Sequence, residues 1–265
     1  YASGGGRLLC PYQNGCARNW KLFNEEKYLM NKLFTHQVFA VLKTILPPSV
    51  SRLMRAIATA FLTPIYFSSR SGHFISSLQS RSMDKKGLPI PWYTYPAVEF
   101  LYTKNFSQRS VLEFGAGQST LWWAKNAKDV TSFEEDKNWY EIVKTKMPKN
   151  VRLIYCSDLM LEMFHDQIAQ ELFDIIIIDG FDRLEATKKA RHNLKGDGII
   201  IVDNAEGYWG ENGTYPIIDL LTSEGMLRVD FYGHSPANIT VSCTSIFFRT
   251  ENWCFLQDSP PTIQK

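Results

Sequence analysis

The chain has 265 residues, of which 45% are hydrophobic and 14% aromatic, enough for a packed core; that excludes wholesale disorder and bounds the chain to one large domain, with or without an appendage. Its five cysteines (Cys10, Cys16, Cys156, Cys243, Cys254) are odd in number and lack the paired spacing of a zinc site. They argue against a disulfide framework and fit a reducing, cytoplasmic compartment. The net charge of +2 hides an asymmetry: residues 1–90 hold 12 Lys and Arg against 3 Asp and Glu, the remainder 17 against 24. A basic first third points either to an anionic partner or to a solvated surface that complements the acidic remainder.

In chain order, residues 1–19 have turn composition and no periodicity, and read as a mobile segment that begins at Tyr1 as a fragment or processed product would. No secretory signal pattern is evident within the chain. Helical spacing of apolar residues runs from Trp20 to Leu46, and Pro47-Pro48 ends it. Ser49 is placed to cap a second helix, Val50 to Leu62, which Thr63-Pro64 should interrupt. Residues 56–67 carry no charge but are too few to span a bilayer, so residues 50–67 either pack on their own domain or lie in a membrane interface with Arg52 and Arg55. Residues 68–86 are Ser-rich and basic, a linker or a lid. Residues 87–96 combine three prolines with Trp92, Tyr93 and Tyr95, a stiff segment that either braces a helix over residues 97–103 or lines a cleft.

From Ser110 the pattern changes to strands alternating with helices, the signature of a parallel sheet covered on both faces. Strands are predicted at 110–114, 130–133, 151–156, 174–178 and 198–202, with helices at 119–126, 139–147, 183–194 and 216–223. The helix from Arg183 should stop at Gly196. The four isoleucines 175–178 suit a central strand buried on both faces. Two last strands, 227–232 and 241–248, joined by Gly233-His234-Ser235-Pro236, read as a hairpin with one strand antiparallel. The expected fold is an open, mostly parallel seven-stranded α/β sheet preceded by a helical region. The domains are 1–19 (mobile), 20–96 (basic helical cap and proline/aromatic linker) and 97–265 (Rossmann-like).

Five acids, Glu113, Glu134, Asp158, Asp179 and Asp203, fall at or just past the carboxyl ends of successive strands, the edge where open α/β sheets bind ligands. Gathered there, they would repel one another unless a cationic or hydroxyl-rich ligand, or a metal, received them. After the first strand, Gly115 and Gly117 allow a tight turn and close approach of a ligand. Ser119 and Thr120 open the next helix, whose free N–H groups attract a polar ligand end.

The run Glu113-Phe114-Gly115-Ala116-Gly117-Gln118-Ser119 resembles the first motif of class I S-adenosylmethionine-dependent methyltransferases, with Ser119 in place of the usual third glycine. The likeness covers about residues 110–249. It implies that Glu113, Gly115, Ala116, Gly117 and Ser119 form the cofactor loop, with the Gly115–Gly117 backbone near the methionine part. It further implies that Glu134 receives the ribose hydroxyls (Glu135 being its rival), that Ser157 and Asp158 meet the adenine, and that Asp179 lies near the reacting methyl. A nicotinamide-dependent oxidoreductase would need a small sixth residue in the glycine fingerprint, where Thr120 stands. An aminopropyl transferase shares the fold and is a further alternative.

Asp179 with Asp203-Asn204 is similar to the metal triad of catechol-type O-methyltransferases, which implies Mg²⁺ holding an acceptor hydroxyl. Against it, Asp203-Asn204 can simply end the fifth strand. No lysine follows Asp179 directly to serve as base; Gly180-Phe181-Asp182 does. Catalytic candidates are Asp179 and, without a metal, His234. The expected activity is methyl transfer to a small-molecule or glycan acceptor, with Trp92–Tyr95 and Tyr208-Trp209 as acceptor-side walls and no nucleic-acid module. The competing class is a catalytically silent binding protein docked on a membrane or polyanion through its basic N-terminal region.

Overall fold

A computed structural model describes residues 44–157, 168, 170–180, 182–207, 213–250 and 252–255. The segment 1–19, most of the predicted 20–46 helix, Asp158 and Tyr208-Trp209 lie outside these. The chain forms two compact units, one running through Ile65 and one from Tyr66 to Gln264. The stretch 66–96, grouped with the cap by sequence, thus belongs to the larger unit.

The first long helix, α1, runs from Pro48 to Ser71. Pro48 suits a first helical position, where its missing N–H would have no partner in any case. The predicted break at Pro64 does not occur. An internal proline removes one backbone hydrogen bond and costs about 3 kcal/mol. Here the turn beyond it carries Phe67, whose ring meets Tyr95 edge-on at 5.3 Å. That packing keeps the helix going. Residues 68–86 are likewise not a linker: α1 ends at Ser71 and α2 spans His73–Gln79. Between them Gly72 has φ +82°, and a Cβ there would lie 2.4 Å from the Met83 carbonyl oxygen. Only glycine allows the helical corner to sit so close to the returning chain. The Ser76 hydroxyl fastens the return, donating to Met83 O and accepting from Met83 N, both at 3.0 Å.

Beyond the proline/aromatic segment, α3 (Tyr95–Tyr102) leads into β1 (Ser110–Phe114), α4 (Gln118–Asn126), β2 (Asp129–Glu134) and α5 (Lys137–Lys144). Then come β3 (Val151–Tyr155), β4 (Phe173–Ile178), α6 (Arg183–Ala190), β5 (Leu194–Val202), α7 (Thr214–Ser223), β6 (Leu227–His234) and β7 (Val241–Phe248). The helix after Arg183 ends earlier than predicted. Asn193 donates to the Ile168 and Glu171 carbonyls and turns Leu194 into the sheet, four residues before the expected strand start.

The seven strands stand in the order β3-β2-β1-β4-β5-β7-β6. All neighbours from β3 to β5 pair in parallel, while β7 is antiparallel to both β5 and β6. The period-2 rule explains the isoleucine run. Ile176 and Ile178 face one core with Leu112, Ile200, Val202 and the helices α6 and α7; Ile175 and Ile177 face the other with Val111, Ile199, Ile201, α3 and α4. All four are fully buried. The strand order reverses at β1/β4, which opens the ligand crevice of such sheets at their carboxyl ends.

Candidate active site

At this crevice the chain leaves β1 through Gly115, whose φ is +94° and whose Cβ would sit 3.1 Å from the Asp179 carbonyl oxygen. A side chain is excluded there both by conformation and by the neighbouring β4 end. Gly117 differs. Its φ of 179° suits any residue, and a Cβ would meet nothing within 4 Å, because it would point into an open cleft. That cleft is lined by Ser80, Arg81, Trp92, residues 115–119, Trp139 and Asp179.

The loop is held by its own acids. Glu113 is fully buried. One of its oxygens accepts from Ser119 Oγ at 2.5 Å, the other from Thr120 Oγ1 at 2.5 Å and Ser132 Oγ at 2.8 Å. Burial pushes its carboxyl up to about 7, against the pull of these three hydroxyls. Glu134, also buried, accepts from the backbone N–H of Ala116 at 3.0 Å and of Asp136 at 2.9 Å. Trp139 donates its indole N–H to the Ala116 carbonyl at 2.7 Å, and Thr120 Oγ1 accepts from Gly117 N at 2.8 Å. Ala116 is therefore clamped from both sides, by Glu134 and by Trp139. Glu113 and Ser119, read from sequence as cofactor contacts, are bonded to each other under the loop, and only Ser119 also lines the cleft.

Asp179 follows β4 and lines the cleft. Burial pushes its carboxyl up to about 7; Arg183 opposes the shift and Glu113 adds to it. Asp203 follows β5, is buried, and accepts from Thr244 Oγ1 at 2.6 Å. Burial, followed by the charge of Asp179, holds its carboxyl well above the ordinary range. Arg183, on the first turn of α6, joins the two strand ends. Its Nε donates to Gly180 O at 3.0 Å, Nη1 to Asp203 O at 2.7 Å, and Nη2 to Asn204 Oδ1 at 3.2 Å and to Asp179 Oδ1 at 3.5 Å.

The expected Mg²⁺ triad does not fit this arrangement. The Asp179 and Asn204 oxygens converge on a guanidinium, and the Asp203 carboxylate turns to Thr244. Among the described residues, no group of three His, Cys, Asp or Glu is placed to hold a metal. His234 ends β6 and packs against Phe67 and His73, with ring centroids 6.0 and 6.5 Å away. Among the described residues lining the cleft it has no part, so its expected role as base finds no geometric support. Ser157 follows β3.

The proline/aromatic segment divides the two roles foreseen for it. Trp92 lines the cleft, while Tyr93 is fully buried against α4, its hydroxyl accepting from Trp123 Nε1 at 3.4 Å. Sequence reasoning missed Trp139 and Arg183, while Ser80 and Arg81 fall in the 68–86 stretch offered as a linker or a lid. The first had a readable signal, since Asp136 caps α5 through the N–H groups of Asn138 and Trp139 and so fixes the indole beside the loop.

No protein-family model matches the chain, and no curated protein sequence matches it. Solved structures do. The O-methyltransferase from Bacillus cereus in complex with SAH is 16% identical, with a TM-score of 0.51 over 69% of this chain and 96% of that one. TomG from Streptomyces achromogenes, an O-methyltransferase involved in tomaymycin synthesis and bound to SAM, is 15% identical, with a TM-score of 0.50 over 70% and 95%. The mostly parallel seven-stranded sheet with its reversed β7 accords with these likenesses: the chain has the fold of class I S-adenosylmethionine-dependent methyltransferases.

Proposed function

We propose that the chain transfers a methyl group from S-adenosylmethionine to a hydroxyl of a small-molecule or glycan acceptor. The observation that carries this reading is the Gly117 position, where the backbone opens directly into the cleft beside Asp179. Both structural neighbours described above are O-methyltransferases holding this cofactor or its product. The residues suit such a ligand: the open approach at Gly117 for the methionine end, Glu134 for the ribose hydroxyls, the Trp139 and Trp92 rings as apolar walls. When bound, the cofactor supplies a methyl on a sulfonium leaving group. The protein's part is to hold an acceptor oxygen in line and to keep water out. Asp179, with its carboxyl raised to about 7, is suited to take the acceptor proton near neutral pH. No step is assigned to a metal.

The test is transfer of isotope-labelled methyl from S-adenosylmethionine to a panel of hydroxylated acceptors, compared with amine and thiol analogues. Labelled methyl ethers support the reading; label on the amines or thiols alone, or none anywhere, contradicts it.

A second observation concerns α1. None of its residues is buried; Leu53, Ile57, Phe61 and Ile65 repeat at helical spacing and are 50–70% exposed, with Arg52, Arg55 and Arg70 and no acid. Among the described residues no helix is long and apolar enough to cross a membrane. An apolar stripe beside arginines suits an anionic lipid surface instead, with the rings buried at headgroup depth. Sedimentation with phosphatidylglycerol vesicles should carry the full chain down, and Phe61→Glu should release it. Equal binding to phosphatidylcholine vesicles, or no effect of the substitution, contradicts this docking.

A further inference from the structure

We infer that Arg183 is a resident cation: its guanidinium takes the place between the β4 and β5 ends that a divalent ion would otherwise claim, and this chain binds no such ion there. Four oxygens from the two strand ends meet it: Gly180 O, Asp203 O, Asn204 Oδ1 and Asp179 Oδ1, at 2.7–3.5 Å. Each nitrogen of the guanidinium has its own partner. A carboxylate, an amide oxygen and a carbonyl make up a donor set for a hard cation. Arginine serves them differently. It is planar, carries a permanent charge, and its rigid fork reaches oxygens on separate elements where a lysine ammonium would act as one point.

An ion entering this place would have to displace the guanidinium, because both need the same oxygen lone pairs. It could not sit beside it, since two positive charges in a site this shielded from water repel strongly. Arg183 cannot discharge to relieve that repulsion. Nor can it swing away cheaply. Its side chain is only 20% exposed, it stands on the first turn of α6, and its carbonyl accepts from Thr187 Oγ1 at 2.7 Å. One oxygen of the Asp203 carboxylate, a third ligand in sequence, accepts from Thr244 Oγ1. The arrangement also ties the Asp179 side chain to a fixed positive group on the cleft wall, which orients the carboxylate without a metal. This deepens the methyltransferase reading but rests on it only for the role of Asp179, because ion binding is measured without turnover.

The test is a Mn²⁺ titration of the full chain followed by electron paramagnetic resonance. The wild-type chain should leave manganese free into the millimolar range. Arg183→Ala should bind it at least tenfold more tightly, and adding Asp179→Asn to that variant should remove the gain. Should Arg183→Ala not fold, as judged by circular dichroism, Arg183→Gln replaces it with the same expectation. Wild-type binding that Asp179→Asn abolishes would overturn the inference, and so would a folded Arg183 variant that binds no more manganese than the wild type. Absence of methyl transfer by the wild type, with the ion behaviour as expected, would instead count against the proposed function.

Discussion

Glu113 offers the sharpest prediction on stability. Its side chain is fully buried, three hydroxyls donate to it, and its carboxyl is raised to about 7 from an ordinary value near 4.5. A folded-state value above the unfolded one means that the folded chain holds the proton more tightly. The associated stability is therefore full below about pH 4.5 and is lost as the pH climbs through 7. A shift of roughly 2.5 units corresponds to about 3 kcal/mol at 1.36 kcal/mol per unit. Replacement by Gln keeps the shape and removes the ionisation. The Ser119 and Ser132 hydroxyls can turn to accept from its amide, whereas Thr120 already accepts from Gly117 N. Urea unfolding of wild type and Glu113→Gln at pH 5 and pH 8 isolates the effect. The wild type should lose about 2.5 kcal/mol more than the variant between these pH values. Equal pH dependence in both proteins would refute the reasoning.

Two further substitutions test the frame of the site. Gly115→Ala should destabilise by about 1–3 kcal/mol, the cost of a non-glycine residue in a strained positive-φ conformation, read from thermal or urea melts; a neutral outcome would contradict the contact with Asp179 O. Asp174, held by Arg109, Lys195 and Ser110, has its carboxyl lowered to about 2, burial opposing these partners. Its contribution, about 2 kcal/mol, is present above pH 4 and fades as the pH falls to 2. Asp174→Asn should therefore destabilise at pH 7 and approach wild-type behaviour at pH 2; a gap that stays constant with pH would count against this.

Much of the sheet was legible because its signals are local. Val111-Leu112 and the isoleucine run are short apolar stretches bounded by turn residues, and strand limits at β1 and β7 agree with the prediction. The helical path through Pro64 and Ser68–Gln79 was not, because what decides it is tertiary: Phe67 on Tyr95, and Ser76 on the returning chain. Of the five strand-end acids, Glu113, Glu134, Asp179 and Asp203 stand at one edge and Asp158 lies outside the described residues, yet the reason they tolerate each other was sought in a ligand. The protein supplies most of it: hydroxyls for Glu113, backbone N–H groups for Glu134, Thr244 for Asp203 and Arg183 for Asp179. A lysine to serve as base was looked for directly after Asp179 and is not there. The cation that pairs with Asp179 is Arg183, four residues on at the first position of α6, where pairing depends on the turn between them and not on adjacency.

The central claim is that the loop from Gly115 to Ser119 holds S-adenosylmethionine. Isothermal calorimetry with wild type and Gly117→Asp tests it most directly, because an added Cβ meets no protein atom within 4 Å and leaves the fold undisturbed. The account predicts one-site binding by the wild type and none by a Gly117→Asp chain whose melting is unchanged. Equal affinity in both, or no binding by either, would contradict it.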